Sequence, residues 1–296
     1  MLAFLAAVWG ASYLFIKVAV AEIEPTAMMF FRLLIAAALL LPFVLVREGL
    51  RPGLRALARA WRPGLVLGIV NAAVPFTLIA WGEKHIDSGV AAIANATVPL
   101  FVVLLAIRYR PSERATGSRL AGVMLGLIGV AVLAGAQPEG GWWAVAGTLA
   151  VVVASLAYAV GGLYGQGVTG TASAPVLATV SMIGGALVLL PFALLQLPDE
   201  LPGWKASASV AALAIGGTAL AQIVVFRMLR HHGAARLSLV TYLLPETAVA
   251  YGALLLDERL TAGTLAGLAL ILPGVALGSG AIRLPRREPA AATPRA

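Results

Sequence analysis

The sequence contains no cysteine, which excludes disulfides and thiolate-held metals. Histidine is almost as scarce, and His85, His231 and His232 stand at no metal-ligand spacing. Charge is thin: 11% of residues are Asp, Glu, Lys or Arg, against 60% apolar, where soluble domains carry roughly a quarter charged residues. That balance leaves no room for a sizeable soluble domain. No Walker motif, hydrolase elbow or nucleophile–base pair appears. "GGLYGQGVTG" (161–170) and "GGTALAQ" (216–222) are glycine-rich but follow no strand, so they are not phosphate loops. The chain thus shows no means of hydrolysing ATP, no sign of an enzyme and no need of a cofactor. Any work it does must draw on a gradient.

What the chain has in abundance is long apolar runs. Mean hydropathy is +0.94. Ten stretches reach or approach the length that crosses a hydrocarbon core of about 30 Å: about 2–21, 26–46, 63–81, 88–107, 119–136, 143–164, 174–195, 208–229, 235–256 and 261–282. Helices are the expected form, because each backbone amide must find its partner within its own span. Pro42, Pro75, Pro99, Pro191, Pro245 and Pro273 fall inside them; membranes tolerate such kinks. The opening "MLAFLAAVWGASYLFIKVAV" lacks the basic leader of a secretion signal and reads as a membrane span, its abrupt start leaving room for a longer native N-terminus.

The basic residues sit in short loops, so the net charge of +8 points to membrane orientation rather than to nucleic acid. With both termini cytoplasmic, sixteen loop and tail arginines lie inside, while Lys84, Lys205 and Arg259 lie outside. That asymmetry is the positive-inside signature of a multi-pass protein of the bacterial inner membrane.

The chain also repeats itself. "ERATGSRLAGVMLGLIGVAVLAG" (113–135) matches "ERLTAGTLAGLALILPGVALGSG" (258–280) at twelve of 23 positions. Pro99 answers Pro245, and "LLPF" occurs at 40–43 and at 189–192. Each half holds five spans. Five is odd, so the second half enters the bilayer from the opposite side, giving two inverted-topology repeats: residues 1–137, then 138–282, followed by a basic cytoplasmic tail, 283–296. Inverted repeats are the mark of carriers that rock about a central site.

At this point the sequence resembles the drug/metabolite transporter superfamily in its ten-helix EamA-type branch. The stretches carrying the resemblance include "WGASYLFIKVAV" (9–20), "FFRLLIAAALLLPF" (30–43), "PFTLIAWGEKHIDSGVAAIANATVPLF" (75–101), "SLVTYLLPETAVAYGALLLDERLT" (238–261) and "LAGLALILPGVAL" (265–277). The resemblance implies an exporter of metabolites or amphipathic compounds, often amino acids. It also implies a cavity walled by spans 1–4 and 6–9, with spans 5 and 10 at the periphery. Where that branch usually has an aliphatic residue after the ninth-span proline, this chain has Glu246.

Several residues could carry substrate. Trp9, Tyr13 and Lys17 form one stripe on the first span, with Ser12 beside them; the aromatics either stack on cargo or pack against neighbours. Lys17 is expected to snorkel to the headgroups. Arg32 pairs with Glu22, Glu24 or an acidic group of the cargo. Asn71, Trp81, Tyr158 and Gln222 are candidate lining residues in spans 3, 6 and 8. Pro99 frees the carbonyl of Asn95, and Pro245 that of Thr241, making hinges beside polar groups; Asn95 either lines the cavity or bonds helix to helix. Tyr242 and Glu246 share one face. Glu246 lies mid-span, where a charge costs on the order of 2.5–3.5 kcal/mol on insertion scales. It either exchanges a proton or pairs with a cationic cargo, or else it is a neutral acid bonded to a neighbouring helix or turned toward a second protomer. Gly122, Gly126 and Gly129 space a tight helix contact, which serves packing or dimerisation rather than substrate binding, so that the protein is a monomer or a homodimer. The expected activity is secondary-active export of a small molecule across the lipid bilayer, with multidrug efflux of lipophilic cations or a passive channel as the alternatives.

Overall fold

The computed structural model describes residues 1–109, 117–135, 141–168, 170–238 and 240–280. The expected repeat boundary at 137/138 and the tail 283–296 lie outside them. Among the described residues every regular element is helical. The elements are α1 (Leu2–Ala19), α2 (Pro25–Glu48), α3 (Leu50–Arg59), α4 (Trp61–Gly68), α5 (Val74–Glu83), α6 (Ser88–Asn95), α7 (Val98–Tyr109), α8 (Ser118–Ala134), α9 (Gly141–Val168), α10 (Ala174–Leu194), α11 (Trp204–Ala214), α12 (Ala221–Ser238), α13 (Val240–Leu255) and α14 (Ala262–Gly278). Two π-helical stretches, Ile69–Ala73 and Ile215–Leu220, join α4 to α5 and α11 to α12.

These helices make ten spans. The third is α4–α5, the fourth α6–α7 and the eighth α11–α12; α1, α2, α8, α9, α10, α13 and α14 supply the others one each. Seven spans are long and apolar enough to cross a membrane, and α8, α13 and α14, at 17, 16 and 17 residues, sit at the lower limit. Proline at the first turn of α2 (Pro25) and of α10 (Pro175) gives no backbone N–H where none has a partner, and its fixed φ starts the helix. The side chains of Leu39, Ile128, Leu187, Phe192 and Leu254 stand out from the bundle. On a water-soluble protein so much exposed apolar surface would aggregate; here it meets lipid. Trp142 and Trp204 lie exposed at the starts of α9 and α11, where amphipathic indoles favour the membrane interface.

One helix differs from expectation. Residues 47–62 read as a basic loop, yet Leu50–Arg59 is helical. Arg51, Arg55 and Arg59 recur every four residues and so share one helix face, while Ala56 and Leu57 pack against Val44, Ala60 and Val180. Basic outside and apolar beneath, α3 has the build of a helix lying in the membrane surface.

The two halves pack in matching ways. α2 lies along its own counterpart α10, and α8 along its counterpart α14. α1 packs on α13 as α9 packs on α7 and α6. The π-helical stretches occupy equivalent places, starting at 69 and 215, which differ by 146. The repeated phrase is itself the seam. A methyl group on Gly274 would stand 2.5 Å from the amide nitrogen of Gly126 and 2.8 Å from the carbonyl of Gly122, so α8 and α14 touch backbone to backbone. Glycine is required there because any Cβ would hold the helices apart.

Candidate functional site

Between the repeats lies a cavity of about 420 Å³. Its walls come from the first to fourth, sixth, eighth and ninth spans. The lining obeys the internal symmetry: Phe76 and Gln222, Ile79 and Val225, and Asn95 and Thr241 all line it, and each pair is separated by 146 positions. A site on the pseudo-twofold axis belongs to both repeats equally, which is what a rocking carrier requires.

Among the described residues that line the cavity, Arg32 is the one that carries a charge. It comes from α2, is 5% exposed, and donates from Nε to Thr218 Oγ1 at 3.0 Å. Its guanidinium carbon lies 3.9 Å from the centroid of the Phe76 ring, a cation–π contact. The acids expected as its partners are occupied elsewhere: Glu22 accepts from the Gly203 amide at 2.6 Å and Glu24 from Lys84 Nζ at 2.8 Å. The π-helical turn of the eighth span explains the Thr218 contact. The turn lets Thr218 Oγ1 donate to Leu213 O, five residues back, at 2.9 Å and present its lone pairs to Arg32. It also directs Gly217 O to Trp9 Nε1 at 3.2 Å. Such bulges recur where a helix must turn particular groups into a site.

Aromatic side chains frame the guanidinium. Phe76 meets Tyr158 edge to face, ring centroids 6.3 Å apart. Tyr13 accepts a hydrogen bond from Asn95 Nδ2 at 2.8 Å. The fourth span breaks at Ala96–Thr97, directly before Pro99, and the Ser155 hydroxyl of α9 stands 3.1 Å from Asn95 Oδ1. The cavity thus offers one cation, several aromatic faces and a few neutral polar groups.

Of the residues singled out in the sequence, Trp9, Ser12, Tyr13, Asn71, Asn95, Tyr158 and Gln222 line this cavity. Three do not. Trp81 turns to the outside of the bundle, edge-on to His85 and Trp143 at 4.8 and 6.4 Å. Tyr242 turns toward the tenth span, its hydroxyl 3.0 Å from Ser279 Oγ. Glu246 is exposed on the outer face of α13 with Leu243 and Leu254. Spacing gave the face Tyr242 and Glu246 share, but not which way that face points. The proline at 245 bends no break into α13 comparable to that at Pro99: the helix runs through it. Arg32, expected to meet Glu22, Glu24 or an acidic group of the cargo, stands in the cavity wall; Thr218 and Phe76 were not among the expected lining residues.

One end of the bundle is stapled together by hydrogen bonds between spans. Lys17 does not snorkel outward; its ammonium donates to the carbonyls of Glu83 and Ile86, both at 2.8 Å, fixing the first span to the turn between the third and fourth. A cation suits the C-terminal end of a helix, where carbonyls lack amide partners. Lys84 pairs with Glu24. Glu258, from the turn after α13, accepts from Ser88 N at 2.8 Å, Ser88 Oγ at 3.0 Å and Gly89 N at 3.2 Å, and so caps α6 from across the bundle. Asp257 before it takes a positive φ of 54°, which turns the chain so that Glu258 can reach. At the same end, partial burial and then Lys84 and Lys17 hold the His85 imidazole below its ordinary range, and its ring stacks on Trp143 at 5.1 Å. Glu113, the counterpart of Glu258, lies outside the described residues.

A helical membrane bundle of two opposed repeats, with a symmetric cavity between them and one end stapled by hydrogen bonds, defines a membrane transporter. The family models agree: residues 1–135 and 145–279 each match the EamA-like transporter family. The chain belongs to that family. It is 29% identical over 285 residues to an uncharacterized inner membrane transporter of Escherichia coli K12, covering 91% of this chain and 86% of that one. An uncharacterized transporter of Archaeoglobus fulgidus is 27% identical over 271 residues, covering 90% and 93%. A probable amino-acid metabolite efflux pump of Salmonella typhimurium is 26% identical, covering 94% and 93%. A solved crystal structure shares the fold with a TM-score of 0.66 at 20% identity, over 94% of this chain and 95% of that one.

Proposed function

We propose that the protein is a secondary-active exporter of small amphipathic carboxylates, amino acids foremost, working by alternating access in the bacterial inner membrane. The observation that carries this reading is Arg32. A buried guanidinium facing a cavity, held among the described residues by a hydroxyl, a thioether and a ring but by no acid, carries a desolvation cost that an anionic cargo would offset. A carboxylate matches the planar donor fork. Tyr13, Phe76 and Tyr158 suit the apolar part of such a cargo, and Asn71, Asn95 and Gln222 supply neutral partners for an amine. The amino-acid efflux relative supports the same substrate class.

Multidrug efflux of lipophilic cations is disfavoured, because the lining residues include a cation and no acid. A passive channel is disfavoured by the staples at Lys17, Lys84 and Glu258, which tie one end together. With both termini cytoplasmic, the stapled end is the outer one and the cavity serves the cytoplasm. The proton-exchange role read for Glu246 draws no support from the cavity, which that residue does not reach.

The test is uptake and counterflow in proteoliposomes. Amino acids are compared with their methyl esters and decarboxylated amines, with and without a pH gradient. Transport of acids but not of esters or amines is expected. Transport of lipophilic cations with no carboxylate transported would overturn the assignment.

A further inference from the structure

Ile79 lines the cavity near its stapled end, and one turn further along the same helix stands Glu83. It is 0% exposed, and neither carboxylate oxygen has a hydrogen-bond partner among the described residues. Its neighbours are engaged elsewhere. Lys17 gives its ammonium to the backbone carbonyls of Glu83 and Ile86, Lys84 turns to Glu24, and His85 stacks on Trp143. The charged groups facing Glu83 are Lys17 from the first span, Glu258 from the turn after the ninth, and Arg32 from the second, and the titratable Tyr13 of the first span faces it too. The sixth span approaches the neighbouring Gly82 through Gly147 and Val151. An ionised carboxylate in such a place is stripped of water and receives no hydrogen bond in return. The neutral acid avoids that cost.

We propose that Glu83 is a proton-binding site coupled to the stapled end. That end closes over Glu83 with a proton bound to the carboxyl, taken from the water on the same side. When the end opens, the proton returns to that water, and the carboxylate is received by water and the Lys17 ammonium. One proton is taken up on closing and one released on opening. The closed form therefore binds more protons, and the ratio of open to closed rises with pH by up to about tenfold per unit. The inference rests on the alternating-access reading and adds a site outside the substrate cavity's charged centre.

Because the chain has no cysteine, Ile79→Cys places a single thiol beneath Glu83. The full-length protein in proteoliposomes is labelled from the stapled side with a membrane-impermeant maleimide over a pH series. Rates are normalised to Leu201→Cys, a position 97% exposed, to remove the thiol's own ionisation. The expected result is a normalised rate that climbs with pH. Glu83→Gln, a permanent mimic of the neutral acid, makes it low and flat; Glu83→Asp restores the slope, and His85→Asn leaves it intact. A parent with no slope, Glu83→Gln with the parent's slope, or loss of the slope in His85→Asn overturns the proposal. Should Glu83→Gln be poorly produced, the Asp and His85 variants decide. A protein that transports carboxylates with a flat profile loses this inference and keeps the functional reading. One with the slope but no carboxylate transport keeps the site and loses the reading.

Discussion

Replacing Arg32 by methionine keeps the length and apolar stem of the side chain and removes the charge. Three local contacts go with it: the bond to Thr218 Oγ1 at 3.0 Å, the contact of a guanidinium nitrogen with Met29 Sδ at 3.9 Å and the cation–π contact with Phe76 at 3.9 Å. Folding should lose little, since the same change lifts the penalty of burying an unpaired guanidinium. Substrate binding should lose a charge-assisted bond, worth about 1.5–3 kcal/mol, which corresponds to a roughly 10- to 150-fold weaker affinity. Arg32→Lys keeps a charge but neither the planar fork nor the Nε contact, and should fall between the two. The assay is counterflow of a labelled amino acid in proteoliposomes, with affinity from competition by unlabelled substrate and folding from thermal stability in detergent. Arg32→Met that transports with an affinity within about twofold of the parent, while folded, refutes the argument that this guanidinium recognises the carboxylate.

Other outcomes follow from the same geometry. Glu258→Ala removes three accepted bonds from the start of α6; with caps worth about 0.5–2 kcal/mol, labelling of Ile79→Cys from the stapled side should increase several-fold at every pH. Glu246→Gln should leave the pH dependence of transport unchanged, as measured by uptake over a pH series, because the residue is exposed away from the cavity; loss of that dependence would restore a proton role to it. Gly274→Val should separate α8 from α14 and lower the melting temperature in detergent, the backbone contact at 2.5 Å allowing no side chain. Gly162→Ala, on α9 with nothing within 4 Å of the new methyl, should instead stabilise by about 0.5–1 kcal/mol.

The fold was readable because a membrane chain writes its spans as composition and its repeats as similarity. Ten apolar runs and one phrase used twice led to two opposed five-helix halves. Reading the cavity's lining from the sequence succeeded wherever periodicity agreed with depth: Trp9, Ser12 and Tyr13 on the first span and Asn95 before its proline. It failed where the facing of a helix was decided by packing. Glu246 drew attention as an acid in mid-span, yet Gly10 fits against Thr247 and Thr247 bonds the carbonyl of Ala6, so that α13 turns that side to α1 and Glu246 away. Lys17 lies near a span end, as snorkelling residues do, but the carbonyls of Glu83 and Ile86 take its ammonium. Glu83 falls just past the expected third span, 63–81, and nothing in the sequence tells a loop acid from the last buried residue of a helix. The helix Leu50–Arg59 was hidden by its own charge, although the four-residue spacing of its arginines was there to see.

A structure determined with a transported amino acid bound is the most direct check on the account as a whole. The carboxylate should lie within hydrogen-bond reach of the Arg32 guanidinium, among Tyr13, Phe76 and Tyr158, with the Lys17 and Glu258 contacts closed beyond it. An amino acid found outside the cavity between the repeats, or inside it with its carboxylate turned from Arg32, would contradict the account.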